Sequence, residues 1–167
     1  VQYINNEATN TLVLLDSSKF ESAPADTVST PLVMMSWQGW SNAGDSLAIA
    51  DNEFVVHSNP SNYANNTALY LYGRRILPGF KPAVITRNKI VSDSLPGNGE
   101  YSSHVGMDIN QFHGSVLSNN RVNRFLTALR VADDSGTVFS GNIFNENKRH
   151  VHVSYGHAGK FNNNAFS

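Results

Sequence analysis

The chain has 167 residues, and 12 Lys and Arg stand against 13 Asp and Glu, which gives a formal net charge of −1. Proteins that grip a phosphate backbone normally carry a basic excess, so this balance argues against nucleic acid as a partner. The absence of cysteine excludes disulfide bonds and zinc sites with thiolate ligands. No apolar run approaches the roughly 18 residues that a membrane-spanning helix needs, so we expect no membrane insertion.

Six short segments of similar pattern recur along the chain. Each has an apolar residue, two mostly small or polar residues, Asn, one variable residue and a second apolar residue. Only the first segment departs from this pattern, with Ser18 in place of Asn. The six segments are 15–20, 49–54, 85–90, 117–122, 139–144 and 161–166, and their asparagines are Asn52, Asn88, Asn120, Asn142 and Asn164.

A second apolar segment follows each of the first five copies, at 32–37, 68–72, 105–109, 126–131 and 149–154. Apolar residues alternate at period two in these segments, as at Met107 and Ile109, and this alternation marks a strand with one buried face. The longer intervals are expected to carry their extra residues as loops. We place a lead-in at 1–11 and excursions near 21–30, 58–67, 74–82 and 92–103.

Two short strands cannot bury their apolar face alone, but stacked repeats of about 22 residues or more bury a continuous core. We therefore predict an all-β chain that forms a single domain over residues 1–167, a right-handed parallel β-helix of about six coils. The recurring Asn is expected to lie at a bend, because Asn tolerates unusual backbone conformations. Its amide donates and accepts hydrogen bonds, so stacked copies are predicted to form an asparagine ladder.

The two ends of the sequence suggest a fragment of a longer helix. The chain opens with Val1 rather than Met, and it stops at Ser167, just after the first strand of a sixth coil. A bare coil end exposes apolar core and unpaired strand edges. We expect more chain, or a partner, to cover that end.

This repeat resembles the right-handed parallel β-helix of the pectin-lyase-like superfamily over about residues 12–167. That superfamily includes polysaccharide lyases, glycoside hydrolases, sugar epimerases, phage tailspikes and surface adhesins. The resemblance implies a polysaccharide or glycan partner bound along the side of the helix, no cofactor, and an extracellular, cell-surface or virion location. A tailspike would also imply a homotrimer. Two alternatives stay open: a polysaccharide-binding or -degrading protein, with lyase or glycoside hydrolase activity if it is an enzyme, and a non-enzymatic shaft of an adhesin or virion fibre.

The distance of each second strand from the next Asn predicts which outward residues are neighbours. This register stacks Asp108, Arg130 and His152 in one outward column, which Tyr70 extends. Sugar rings pack on aromatic faces, and sugar hydroxyls pair with charged side chains, so these four are candidate glycan-binding residues. The alternative interpretation of Asp108 and Arg130 is an ordinary exposed cross-strand ion pair.

A neighbouring outward column is predicted from Gly106, Ala128 and His150, with His150 as a further glycan-binding candidate. Two histidines on one strand could bind a metal ion, or one could act as a base near neutral pH. Since no carboxylate partner for His150 or His152 is clear in the sequence, we predict no metal site. Trp40 is either a sugar platform or a contact to a neighbouring subunit.

Weak catalytic candidates come from Asp133 and Asp134 with His157, in addition to the Asp108, Arg130 and His152 column. The paired Asp and the following Gly-His resemble elements of polygalacturonase-like hydrolases, which need carboxylates on both sides of the scissile bond. The Asn-Thr-Asp element of that family is missing from this sequence, and no Arg-x-Lys element follows the paired Asp. Asp-Asp-Ser-Gly is also a simple turn sequence, so the catalytic residues stay unknown at this stage.

Overall fold

A computed structural model gives the structure of residues 2–5, 12–22, 31–37, 46–57, 67–73, 81–93, 104–155 and 159–167. These residues form short strands and contain no helix. Accordingly, nothing in the described ranges has the length and hydropathy of a membrane-crossing helix. Trp40, His157 and most of the predicted lead-in and excursions lie outside the described residues.

The strands follow one another in a regular order along the chain. In the first three coils they are β1 (Gln2–Asn5), β2 (Leu12–Asp16), β3 (Lys19–Glu21), β4 (Val33–Trp37), β5 (Ser46–Ala50), β6 (Glu53–Val56), β7 (Thr67–Tyr72), β8 (Val84–Thr86) and β9 (Lys89–Ser92). In the last three coils they are β10 (Val105–Asn110), β11 (Val116–Ser118), β12 (Arg121–Asn123), β13 (Thr127–Ala132), β14 (Val138–Ser140), β15 (Ile143–Asn145), β16 (Arg149–Ser154), β17 (Lys160–Asn162) and β18 (Ala165–Phe166).

Three parallel sheets enclose the core. Sheet A consists of β1, β4, β7, β10, β13 and β16; sheet B of β2, β5, β8, β11, β14 and β17; and sheet C of β3, β6, β9, β12, β15 and β18. Every third strand along the chain is therefore a hydrogen-bonded neighbour, so the chain advances one strand spacing for each complete turn. The fold is the predicted right-handed parallel β-helix of about six coils.

Each coil has three strands, whereas the sequence pattern predicted two. The repeating Asn segment contributes two strands of different sheets, as in β11 and β12 around Asn120. These strands are only three residues long in several coils, which is too short for an alternation to appear in the sequence. Inward residues of successive coils stack in register, and the rings of Phe139 and Phe161 lie 4.5 Å apart in neighbouring coils.

The asparagine ladder is confirmed, and Asn120 illustrates its bonding. The Asn120 Nδ2 group donates to the carbonyl oxygen of Ile85 at 2.9 Å and to Asn142 Oδ1 at 3.0 Å. Asn120 Oδ1 accepts from the backbone N–H of Asn88 at 3.0 Å. Ser18 donates its backbone N–H to Asn52 Oδ1 at 3.0 Å and so occupies the first position of the ladder. The amides thereby satisfy backbone groups that the bend removes from the sheets.

The explanation that the ladder Asn itself adopts the unusual backbone conformation was wrong. The left-handed conformation belongs to the residue before each ladder position, namely Ser17 (φ 47), Asp51 (φ 56), Arg87 (φ 54), Asn119 (φ 55), Gly141 (φ 63) and Asn163 (φ 52). The ladder residue is selected instead for its amide, which bonds to the coils on both sides.

The predicted outward strip of Gly106, Ala128 and His150 was also wrong, because these positions turn inward. Ala128 is fully buried in the core. A Cβ added at Gly106 would lie 2.4 Å from Val122 Cγ1, so glycine is needed for this close approach. The His150 ring lies 5.8 Å from the ring of Phe166, which belongs to the stack of β12, β15 and β18 residues. His150 therefore does not belong to the outer face of sheet A.

Candidate functional site

The outer face of sheet A carries a column of polar and aromatic side chains. Asp108 in β10 is paired in register with Tyr70 in β7 and with Arg130 in β13, and Arg130 is paired with His152 in β16. The register predicted from the sequence is confirmed. It arises because Met107 and Ile109 point into the core, which turns the residue between them outward.

Asp108 and Arg130 form an ion pair in which the carboxylate is buried. Arg130 Nη2 donates to Asp108 Oδ2, and this hydrogen bond raises the pKa of the Arg130 guanidinium above its ordinary value. The Asp108 side chain is only 4% exposed, compared with 36% for Arg130. The interpretation as an exposed cross-strand pair therefore fits Arg130 but not Asp108.

The second carboxylate oxygen of Asp108 distinguishes this pair from a structural ion pair. Asp108 Oδ1 is buried and has no hydrogen-bond partner among the described residues. A buried carboxylate oxygen without a donor costs free energy, on the order of 1–3 kcal/mol or more for a charged group. The fold therefore holds an unsatisfied acceptor that neighbouring groups cover on the outward side of sheet A.

Two cavities lie on either side of this ion pair and share Asp108, Asn110 and Arg130. The first has a volume of about 290 Å³, and Met34, Thr67 and Tyr70 are among its other lining residues. The second has a volume of about 500 Å³, and its further lining residues include Gln111, Asp133, Ser154 and Tyr155. These volumes are close to or within the usual range of small-molecule sites.

Aromatic rings stand at both ends of the pair of cavities. Tyr70 and Tyr72 point outward from β7 with nearly parallel rings, whose centroids are 6.1 Å apart. Partial burial, and to a lesser degree the Asp108 charge, raise the pKa of Tyr70, whose hydroxyl also bonds to the Asn110 side chain. Tyr155, at the far end of the second cavity, is 88% exposed. An exposed ring offers an apolar face on which a ligand ring can pack.

Two further predicted residues lie beside the cavities without lining them. His152 continues the column, but its Nδ1 atom lies 3.3 Å from Arg149 Nη1. Asp134 is buried, and its Oδ1 atom accepts a hydrogen bond from Thr137 Oγ1 at 3.0 Å. Asp133 lines the second cavity, where its Oδ2 atom accepts from Gln111 Nε2 at 3.2 Å. The two aspartates therefore do not act as a pair.

Ser135, His113 and Asp134 lie close together but are not arranged as a catalytic triad. His113 Nδ1 accepts the backbone N–H of Ser135 at 3.0 Å, and Ser135 Oγ lies 3.2 Å from the same nitrogen. Asp134 Oδ1 is 3.8 Å from that nitrogen as well. A triad needs the base to contact the nucleophile and the carboxylate through different ring nitrogens. Within the described ranges, no group of three or more His, Asp and Glu residues could hold a metal ion.

The sequence analysis missed Asn110, Tyr72, Ser154 and Tyr155. Tyr72, Asn110 and Ser154 share a second outward column, in which Asn110 is paired with Tyr72 and, through Ala132, aligned with Ser154. Extending the alternation by two residues beyond Tyr70, Asp108 and His152 finds these three positions. Tyr155 follows the strand in a left-handed conformation (φ 52), and the alternation does not reach it.

Comparisons with known proteins do not suggest a function for this site, so its function is inferred from its geometry. No protein-family model matches the chain. Searches of curated proteins and of solved structures gave no significant match either.

Proposed function

We propose that the outer face of sheet A binds a glycan, and that the chain is the carbohydrate-recognising part of a protein that binds or degrades surface polysaccharides. The observation that carries the proposal is that two neighbouring cavities of this face share Asp108, Asn110 and Arg130. A sugar hydroxyl is a neutral group that both donates and accepts hydrogen bonds, so it suits the carboxylate, amide and guanidinium groups of these three residues.

The neighbours of Asp108 support the same ligand class. Asn110 adds an amide that can donate and accept, while Tyr70 and Tyr155 add ring faces at opposite ends. Glycan sites combine such ring faces with hydrogen-bonding side chains, because a sugar has both apolar faces and hydroxyl edges. A rigid shaft has no need of these groups, and its outer face would be more uniform.

Membership of the pectin-lyase-like superfamily is part of this proposal. The stacked parallel coils and the asparagine ladder are the features that the chain has in common with that fold. An extracellular, cell-surface or virion location, a homotrimer of the tailspike kind, and a lyase or glycoside hydrolase activity stay predictions. If the chain hydrolyses a glycan, Asp108 and Asp133 are the candidates for the two catalytic carboxylates, because both line the second cavity.

Replacing Asp108 by Asn is expected to weaken glycan binding by about tenfold, because the carboxylate that lines both cavities is lost. The Asn oxygen would face Arg130 and keep that hydrogen bond, so a sugar hydroxyl would lose the charged acceptor and could only accept from the neutral amide NH₂, which gives a weaker bond. Binding of wild type and Asp108→Asn to a broad glycan array, followed by titration calorimetry with the retained glycans, measures the change.

Asp51→Asn is the matched control, since Asp51 also pairs with an arginine across neighbouring coils but lies at the corner between sheets B and C. Arg87 Nε donates to Asp51 Oδ1 at 2.8 Å, and the pair is exposed. This variant should bind like the wild type. Retention of no glycan at all, or equal affinities for the two variants, would contradict the proposal, and the first result would favour the shaft alternative.

A further inference from the structure

The charges around the two cavities are not balanced. Asp108 and Arg130 are the charged residues that the structure places around the first cavity within the described part of the chain. The second cavity adds the Asp133 carboxylate to the same two residues. Among the described lining residues, the first cavity is therefore neutral and the second has a surplus negative charge.

The positive charge of Arg130 is already balanced by a neighbouring carboxylate. Its Nη2 atom donates to Asp108 Oδ2, and the Asp108 carboxylate is nearly fully buried. A ligand carboxylate that approached Arg130 would also approach Asp108, and in the second cavity it would meet Asp133. Like charges brought together at an interface cost several kcal/mol, which is enough to decide specificity.

We infer that this face takes an uncharged glycan and discriminates against acidic polysaccharides; this inference rests on the proposed function. The second cavity already has a surplus carboxylate, and a neutral sugar offers hydroxyl donors to its lining residues without added negative charge.

The ligand is an oligosaccharide that follows the helix axis rather than a single sugar. Tyr70 lies in β7 and Tyr155 follows β16, and these strands are separated by β10 and β13 in sheet A. Three strand spacings correspond to about 14 Å along the axis. The two cavities share their central residues over this distance, so one extended chain can contact both aromatic ends and the ion pair between them.

The test compares acidic polysaccharides with the same polymers after their carboxyl groups have been reduced to neutral sugars. Affinity electrophoresis and calorimetry of the whole chain should give about tenfold tighter binding of the reduced member of any pair that binds. Affinity for the neutral polymers should not change between low and high salt, because no net ion pair forms with the ligand.

Two variants connect the discrimination to the second cavity. Asp133→Asn removes the surplus charge, and it should reduce the preference for the neutral polymer by about threefold. Asp51→Asn removes an equivalent exposed carboxylate elsewhere and should leave the preference unchanged. Asn is compatible with the left-handed backbone at both positions.

The outcomes separate this inference from the function on which it rests. Tighter binding of the acidic member, with loss of binding in high salt, would overturn the inference and leave glycan binding in place. An unchanged preference in Asp133→Asn would also overturn it. If no polysaccharide of either kind binds, both the inference and the proposed function fall.

Discussion

Replacing Asn120 by Leu is expected to lower the free energy of unfolding by about 3–6 kcal/mol, because buried polar groups lose their partners. Asn120 is fully buried in the middle of the ladder. Leucine has a similar volume but cannot accept the backbone N–H of Asn88 or donate to the carbonyl oxygen of Ile85. The damage therefore extends to the neighbouring coil on one side and to the bond with Asn142 on the other.

Denaturant unfolding followed by circular dichroism measures this loss. Asn162→Leu is the matched control, because it makes the same chemical change at an exposed position of β17. His152→Ala tests the outer face in the same way, and both controls should unfold within about 1 kcal/mol of the wild type. If Asn120→Leu has the same midpoint as the controls, the ladder does not contribute as described.

The ladder could be predicted from the sequence because its spacing and its flanking apolar residues recur together. Asn120 and Asn142 stand in the same local pattern, and stacking then brings their amides within bonding distance. The left-handed residue before each Asn could not be predicted, because that position carries no common residue type. Arg87 adopts a φ of 54, although arginine has no preference for this conformation.

The inward strip was mispredicted because alternation was assumed to hold from the start of each strand of sheet A. Gly106 and Ala128 lie two positions before outward residues, so a regular strand would turn them outward as well. The register pairs Val105 with Thr127 and Met107 with Leu129 but leaves out Gly106 and Ala128, and a Cβ at Gly106 would point at Val122 and Phe125. Alternation is reliable only where a strand is regular, and it fails at an irregularity such as this one near the start of the strand.

The candidate site was only partly predictable. The register of Asp108, Arg130 and His152 followed from the equal spacing of the last coils. The burial of Asp108 did not follow, because it depends on how neighbouring side chains cover the carboxylate. The unsatisfied Asp108 Oδ1 atom and the two cavities are therefore structural observations that no periodicity could supply.

Acidification is expected to destabilise the fold through His104 by as much as about 3 kcal/mol at pH 4 and below. His104 is buried against Phe125, and burial lowers its pKa from 6.5 to about 4, although the Asp93 charge acts in the opposite direction. Its Nδ1 atom accepts the backbone N–H of Leu126 at 3.3 Å, and its Nε2 atom lies 3.0 Å from Ser92 Oγ. A proton on Nδ1 would replace this hydrogen bond by a repulsive contact between two N–H groups.

The sign of the His104 effect follows from the lowered pKa. The unfolded chain takes up the proton near pH 6.5, before the folded chain does, so stability is lost as the pH falls from 6.5 to about 4. Replacing His104 by Asn keeps an acceptor near Leu126 and removes the titration. The difference in unfolding free energy between wild type and this variant should therefore change across that window and stay constant above pH 7. A constant difference throughout would contradict the assignment.

Asp134 is expected to act in the opposite direction over nearly the same range of pH. Burial raises its pKa from 3.8 to about 6, against the smaller opposing effects of hydrogen bonds from Thr137 and Ser135. Here the folded chain takes up the proton first, so stability rises by up to about 3 kcal/mol as the pH falls from 6 to 3.8. The two titrations offset each other in the wild type. Asp134→Asn should therefore steepen the fall in unfolding free energy as the pH drops, whereas His104→Asn should turn that fall into a rise. If the pH profiles of the two variants shift in the same direction, the two groups do not titrate as their burial requires.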